Sequence, residues 1–133
     1  MKCQDPKDIG EMVKTVFDNP DEYSSKILHI AGDEIKPDQI VEILNKHLAP
    51  DATFINGNIT LERYDTFGLP NQQFLTNMFR NFQKGVRGDI ELSKKLNKDL
   101  SSFDEYVSKN KEEILEGYHP DKFKSSFQDK IKL

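Results

Sequence analysis

The sequence predicts an α/β fold in which a small parallel βαβ sheet is covered by several C-terminal helices. Two short, mostly apolar runs, residues 27–31 and 52–55, flank an amphipathic segment over residues 37–48. Runs of four or five residues are too short for helices and fit buried strands. Strand, helix and strand with tight connections predict parallel strands and a right-handed crossover. Because parallel sheets are normally covered on both faces, the later helices or a partner must cover this one.

Apolar spacing and helix-end residues predict the two helices of the first half. The helix that precedes the first strand is predicted over residues 8–18 from one apolar stripe, and Asn19 with Pro20 ends it. The stripe consists of Ile9, Met12, Val13, Val16 and Phe17. Pro37 stands where the first residue of the next helix should be, since that position needs no N–H donor. This helix is predicted to end near Leu48.

The second half of the chain is predicted to be helical. Thr60 caps a short helix that Gly68 ends, and Pro70 opens a longer helix that runs to about residue 84. The longer helix carries an aromatic stripe of Phe74, Leu75, Met78, Phe79 and Phe82. A short piece over residues 89–96 follows. Ser101 and Asp104 then resemble a capping box that starts a last helix over about residues 101–116.

The length of 133 residues leaves room for one domain. We assign residues 1–117 to this domain and residues 118–133 to a polar tail. Phe123, Phe127 and Ile131 are spaced by four, so the tail is either a weak helix or disordered. A complete two-domain dehydrogenase, with a dinucleotide-binding sheet and a substrate domain, is excluded by size.

Charge and cysteine content exclude several classes of function. Lys and Arg number 19 against 23 Asp and Glu, a net charge of −4, which gives no electrostatic case for direct nucleic-acid binding. Cys3 is the single cysteine, so no intrachain disulfide can form, and a reducing compartment fits. No apolar stretch approaches the ~20 residues of a membrane span, and no apolar leader is present. We expect a cytoplasmic or nuclear protein without membrane contact.

Motifs for cofactor and metal chemistry are absent from the sequence. There is no G-x-G-x-x-G and no G-x-x-x-x-G-K-[ST], so the usual backbone cradle for a pyrophosphate is missing. The three histidines lack the spacing of metal ligands. Tyr118 and Lys122 spell the Tyr-x-x-x-Lys pair that short-chain dehydrogenases use for proton transfer, but Pro120 disfavours the helix that this pair needs. We expect no catalytic residue, no metal and no cofactor bound by this chain alone.

The aromatic stripe of the long helix has two interpretations. In one, it packs on the two-stranded sheet as part of the core. In the other, part of it lines a pocket or an interface, because ligand sites are usually apolar pockets with a few convergent polar groups. Asn77 and Arg80 stand beside the stripe and would supply such groups. Both interpretations can hold for different residues.

Several segments, taken in order, resemble the C-terminal part of NmrA-like proteins. They are Leu75-Thr76-Asn77-Met78-Phe79-Arg80, Asp89-Ile90-Glu91-Leu92, Leu96-Asn97, and Phe103 with a closing amphipathic helix. Upstream, Asp8-Ile9-Gly10 and its apolar helix resemble the D-I-G segment that precedes this part. The order and spacing over residues 5–115 carry the resemblance, more than any single motif does.

The resemblance implies a relative of the atypical short-chain dehydrogenases and reductases. Such proteins pair an N-terminal Rossmann domain, which binds NADP or NAD, with a smaller C-terminal domain that closes over the cleft. Several act as redox-sensing regulators, and others are reductases. The dinucleotide fingerprint lies in the N-terminal half, which this sequence does not contain. No cofactor residue therefore maps onto it, although NADP is implied for full-length members.

Three functions remain open on this resemblance. The first is a truncated binding or regulatory module of the NADP-sensing family, non-catalytic alone, in which Asn77, Met78, Phe79 and Phe82 line a groove for a protein partner or a small apolar ligand. The second is the substrate-side part of an NAD(P)-dependent oxidoreductase whose Rossmann half is supplied elsewhere. The third is an interaction protein that forms a homo-oligomer through an uncovered sheet edge.

Overall fold

The computed structural model describes residues 1–85 and 87–117, and within them the chain is mainly helical. The helices are α1 (Pro6–Asp18), α2 (Pro20–Tyr23), α3 (Pro37–Leu48), α4 (Leu61–Asp65), α5 (Gln72–Gln83), α6 (Ile90–Leu96), α7 (Phe103–Lys109) and α8 (Lys111–Gly117). The strands are β1 (Lys2–Cys3) and β2 (Asp33–Glu34). The predicted polar tail and the Tyr118–Lys122 pair lie outside the described residues.

The sheet is antiparallel, and the predicted parallel βαβ sheet is wrong for the residues that the structure describes. β1 pairs with β2, with Lys2 opposite Glu34 and Cys3 opposite Asp33. Residues 27–31 and 52–55 form no strand, apart from a single parallel bridge between Ile30 and Asp89. The fold is therefore mixed α and β, but helices dominate it.

Residues 27–31 bond to the start of α6 instead of to a neighbouring strand. The Ala31 N–H donates to Ser93 Oγ at 2.9 Å, and the Asp89 N–H donates to the His29 carbonyl at 2.8 Å. A Cβ at Gly88 would lie 2.8 Å from the Ala31 Cβ, so only glycine allows this close approach. Because buried backbone groups must find partners, these bonds remove the need for a strand partner there.

Residues 52–55 are held by one side chain of α3. Asn45 Oδ1 accepts from the Phe54 N–H at 2.7 Å, and Asn45 Nδ2 donates to the Phe54 carbonyl at 2.9 Å. An amide side chain offers the same donor and acceptor as a backbone peptide group. Asn45 thus takes the place of the strand that the apolar pattern predicted beside this run.

The apolar core consists of two clusters that bring distant parts of the chain together. The first is built on Met12, Tyr23 and Leu96, from α1, α2 and α6. The second is built on Leu48, Ala52 and Val107, from α3, α7 and the segment between α3 and α4. α4 packs mainly against α5. We call the region around the two clusters the body, and residues 61–83 the α4–α5 hairpin.

Some helix ends follow the predicted signals and others differ. Thr60 caps α4 by accepting from the Arg63 N–H, and Pro37 begins α3 as predicted. α5 begins at Gln72, because Asn71 has a left-handed φ of 58°. The capping box is formed by Ser102 with Glu105, one position later than predicted. Asn110 divides the predicted last helix into α7 and α8.

Candidate functional site

A cavity of about 230 Å³ opens between the small sheet, the start of α1 and the start of α7. Its wall consists of Cys3, Gln4, Asp5, Pro6, Asp33, Ser101, Ser102, Phe103 and Tyr106. An apolar cavity of about 150 Å³ holds benzene, whereas drug-sized ligands need roughly 300 Å³ or more. The cavity therefore has room for one ring with small substituents.

Most polar groups of the wall are already engaged within the protein. Asp33 accepts from the Phe103 N–H at 3.0 Å through Oδ2 and from the Glu34 N–H at 2.7 Å through Oδ1. Asp5 caps α1 by accepting from the Lys7 N–H at 2.9 Å. Because these carboxylates are hydrogen-bonded within the protein, the surface that the wall presents to a ligand is mainly apolar.

Gln4 supplies an exception. Its Nε2 donates to the Asp5 carbonyl at 3.2 Å, which orients the amide. Its Oε1 is buried and is the one such side-chain atom without a hydrogen-bond partner among the described residues. Leaving a buried acceptor unpaired costs about 1–3 kcal/mol. Because Oε1 is buried and not open to the cavity, a bound group can donate to it and recover that cost only after the Gln4 amide turns toward the cavity.

Cys3 is the only thiol in the wall, and its surroundings keep it protonated. The Sγ lies 3.9 Å from the Asp33 carbonyl oxygen. Burial raises the pKa of the Cys3 thiol, and the negative charge of Asp33 raises it further, against a lowering by the N-terminal ammonium. Because the thiolate is the nucleophile, this environment disfavours covalent chemistry at Cys3.

A comparison with known protein families matches the part of the chain that contains this cavity. A model of the NmrA-like family matches residues 1–107 of the 133. The chain belongs to the NmrA-like family. Every residue of the cavity wall falls within the matched range, as do the D-I-G segment and α5. The resemblance stated from the sequence is confirmed at the level of the family.

Two of the segments that carry the NmrA-like resemblance contact each other. Asp8 of the D-I-G segment is buried and accepts from Asn97 Nδ2 at 3.3 Å and from the Ser101 N–H at 3.0 Å. Asn97 is itself 7% exposed. Since Ser101 lies in the cavity wall, Asp8 positions one side of the cavity from the start of α1. Asp8 is a positioning residue here.

The groove predicted from the sequence lies elsewhere, on α5. Asn77 is exposed and accepts from Arg80 Nη1 at 3.0 Å, and Met78, Phe79 and Phe82 are half-buried. None of the four belongs to the cavity wall. Their groove stays a prediction.

Unlike the core interpretation, Phe79 of the aromatic stripe packs against α4 and not against a sheet, and Phe74 is 71% exposed. The Phe79 ring lies edge-on to Tyr64, with centroids 5.2 Å apart, and 6.2 Å from the Phe82 centroid. The buried Thr76 donates to Asp65 Oδ1, and Arg80 Nη2 donates to Asp65 Oδ2 at 3.0 Å. We call Thr76, Asp65 and Arg80 the polar lock of the hairpin.

Sequence patterns single out only part of the cavity. Phe103, which carries part of the family resemblance, lines the cavity together with Tyr106. Nothing in the sequence singles out Gln4, because its role depends on segments that only folding brings together. No three His, Cys, Asp or Glu side chains are grouped to hold a metal in the described ranges. No helix in that part of the chain is long and apolar enough to cross a membrane.

Proposed function

We propose that this NmrA-like chain is a binding module that takes a small, neutral aromatic ligand in the cavity and carries out no chemistry alone. The observation that carries the proposal is the unpaired, buried Gln4 Oε1 in a wall that is otherwise mainly apolar. Apolar pockets with a few convergent polar groups are the usual sites for small ligands.

The cavity selects the ligand by size and by one hydrogen bond. Phe103, Tyr106 and Pro6 offer apolar walls for a single ring, and Gln4 Oε1, once its amide turns toward the ring, accepts from a donor such as a phenol O–H or an indole N–H. An anionic ligand is disfavoured, because Asp5 and Asp33 place negative charge in the wall. A ring with one hydroxyl or ring N–H is therefore the chemical class we propose.

Two side chains of the cavity wall, Cys3 and Asp33, are the reason why we propose no catalysis. Cys3 is held as a thiol, and both carboxylate oxygens of Asp33 accept backbone N–H groups. Neither group is set up as a nucleophile or a general base toward a bound ring. The effect of an occupied cavity would then be on how the chain binds a protein partner. This fits the regulatory role that the resemblance implies.

Titration with phenol and toluene, followed by amide NMR, tests the proposal. Phenol can donate to Gln4 Oε1 and toluene cannot, so we expect phenol to bind about tenfold more tightly. Shifts should concentrate at residues 3–6 and 101–106. Gln4→Met should reduce phenol to the affinity of toluene, and Gln83→Met on exposed α5 should not. Equal binding of the two probes by the wild type would contradict the proposal.

The alternative function is the substrate-side part of an NAD(P)-dependent oxidoreductase, and membership of the NmrA-like family supports it. In that case α5, with Asn77, Met78, Phe79 and Phe82, would face the cofactor cleft of a Rossmann half. Titration of the chain with NADPH and with NADP⁺ separates the two functions. The binding module predicts no change in the amide signals of α5. Tight binding with shifts at Asn77 and Phe79 would favour the oxidoreductase.

A further inference from the structure

The segment between α3 and α4 contains the single Asn-Gly pair of the sequence, Asn56-Gly57. Gly57 is exposed, and Asn56 is half-buried. In such a pair the backbone nitrogen of the second residue can attack the side-chain carbonyl carbon of the asparagine and close an imide ring. Glycine obstructs this attack least, because it has no Cβ and its backbone is the least restricted. The surroundings of the nitrogen, the carbonyl and the departing amide decide whether the attack occurs.

The Gly57 nitrogen is free to act as the nucleophile. Its N–H forms no hydrogen bond with any residue that the structure describes. A bonded N–H would be held toward its acceptor, and its proton would be harder to remove. Because Gly57 is exposed, that proton can pass directly to water or hydroxide. The nitrogen is therefore available to the side chain of Asn56.

The Asn56 carbonyl is held and polarised by a backbone donor. The Asn58 N–H donates to Asn56 Oδ1 at 3.0 Å, which closes an Asx turn. The ring that this bond completes contains both the Asn56 Cγ and the Gly57 nitrogen, so the two reacting atoms are kept close. Attack on Cγ places negative charge on Oδ1, and a donor that already points at this oxygen stabilises the charge.

The departing amide is restrained by α3. Asn56 Nδ2 donates to Asp38 Oδ1 at 2.6 Å, and Asp38 lies in the first turn of α3. This bond must break before Nδ2 leaves as ammonia. Asp38 therefore slows the reaction, and its carboxylate is also the group that the product faces.

We infer that Asn56 is a modification site, at which the amide converts spontaneously to a carboxylate and the loop loses its bond to α3. The Gly57 nitrogen bonds to Asn56 Cγ, the Cγ–Nδ2 bond breaks, and the Gly57 proton leaves with Nδ2 as ammonia. Water then opens the imide at either carbonyl carbon. Opening at Cγ gives aspartate, and opening at the main-chain carbonyl gives isoaspartate. Water is the only co-reactant, and nothing is oxidised or reduced.

The product carries a negative charge where the amide donated a hydrogen bond. A carboxylate at position 56 faces Asp38, and two carboxylates at hydrogen-bond distance repel each other unless they share a proton. The loop therefore separates from the start of α3. Thr60, which caps α4, follows shortly after in the chain. The modification thus loosens the entry to the α4–α5 hairpin.

Ageing of the purified chain at pH 8, followed by ion exchange and peptide mapping, tests the site. We expect a more acidic form to accumulate, with aspartate and isoaspartate at position 56. Asn58 is the internal control in the same loop, since the β-branched Ile59 obstructs the attack and the Asn58 amide should persist. Gly57→Ala should slow the acidic form about tenfold, because the added Cβ crowds the nitrogen. A wild type whose Asn56 keeps its amide until other asparagines have lost theirs would overturn the inference.

Two further variants test the roles of Asp38 and of the new charge. Asp38→Ala should speed the loss of the amide severalfold, whereas Glu42→Ala, at an exposed position of the same helix, should leave the rate unchanged. Asn56→Asp should shift the amide NMR signals of residues 56–60, as ageing of the wild type does, and should leave those of α1 in place. An Asp38→Ala rate equal to that of the wild type, or Asn56→Asp signals that match the unaged chain, would overturn the release from α3.

Discussion

The body and the α4–α5 hairpin are stabilised by different means. In the body, apolar side chains from opposite ends of the chain meet: Met12 packs with Leu96, and Leu48 with Val107. In the hairpin, two neighbouring helices are joined by a fully buried hydroxyl, Thr76, and by edge-to-face rings. We conclude that the body depends on packed volume between distant segments, and that the hairpin depends on local polar and aromatic contacts.

Removing volume from the body should have the largest effect. Leu48 is 0% exposed, so Leu48→Ala should lower the free energy of unfolding by about 2–5 kcal/mol. Urea unfolding followed by circular dichroism measures this loss. Ile55→Ala is the control, because Ile55 is 74% exposed, and it should change stability by less than about 0.5 kcal/mol. Similar losses in the two variants would contradict the importance of buried volume.

Removing the Asp8 carboxylate should have a smaller effect on stability and a specific effect on the site. Asp8→Ala leaves the Ser101 N–H and the Asn97 amide without their acceptor, at a cost of about 1.5–3 kcal/mol. Because Ser101 lies in the cavity wall, phenol affinity should fall as well. Asp99→Ala, at an exposed position, should leave both stability and phenol affinity unchanged.

Breaking the polar lock should destabilise the α4–α5 hairpin and leave the body unaffected. Thr76→Val preserves the shape of the side chain but removes its hydrogen bond to Asp65, at a cost of about 1 kcal/mol. Hydrogen exchange should accelerate in α5 and stay unchanged in α1 and α7. Equal acceleration in all three helices would mean that the hairpin and the body unfold as one unit, which would contradict separate stabilisation of the two regions.

Acid should weaken contacts that hold the body together. Lys46, and then His47, lowers the pKa of Asp104 and so links α7 to α3, while Lys95 lowers the pKa of Glu22. A carboxyl with a lowered folded-state pKa stabilises the fold above its unfolded-state pKa of about 4. That stabilisation is lost as the pH falls through the lowered value.

The urea midpoint should therefore drop between pH 5 and pH 3, and Asp104→Asn should make this drop shallower. Asp99→Asn, at an exposed site, should leave the drop as it is in the wild type. An Asp104→Asn variant with the full drop would show that the contacts of Asp104 with Lys46 and His47 do not contribute.

The helices were predictable because their signals are local. Pro37 at the start of α3 and Thr60 at the cap of α4 act on neighbouring residues, and both predictions are confirmed. The strand over residues 27–31 was predicted wrongly because a remote side chain intervenes. Ser93 lies 62 residues from Ala31, and no local pattern reveals that its hydroxyl replaces a strand partner.

The cavity was beyond sequence patterns for the same reason. The bond from the Ser101 N–H to Asp8 spans 93 residues and brings the start of α7 to the start of α1. The strands that complete the wall have two residues each, which is too short for any alternation of polar and apolar residues. The family could be identified from the sequence because many weakly similar segments occur in the expected order.

The most direct test of a small-ligand module is to fill the cavity without disturbing the fold. Calorimetric titration should show phenol binding to the wild type and to Ser108→Leu, whose substitution lies on the exposed face of α7. Ser101→Leu places the same side chain in the cavity wall and should abolish binding while the circular dichroism spectrum stays native. Unchanged phenol binding by a folded Ser101→Leu variant would contradict the assignment of the cavity as the ligand site.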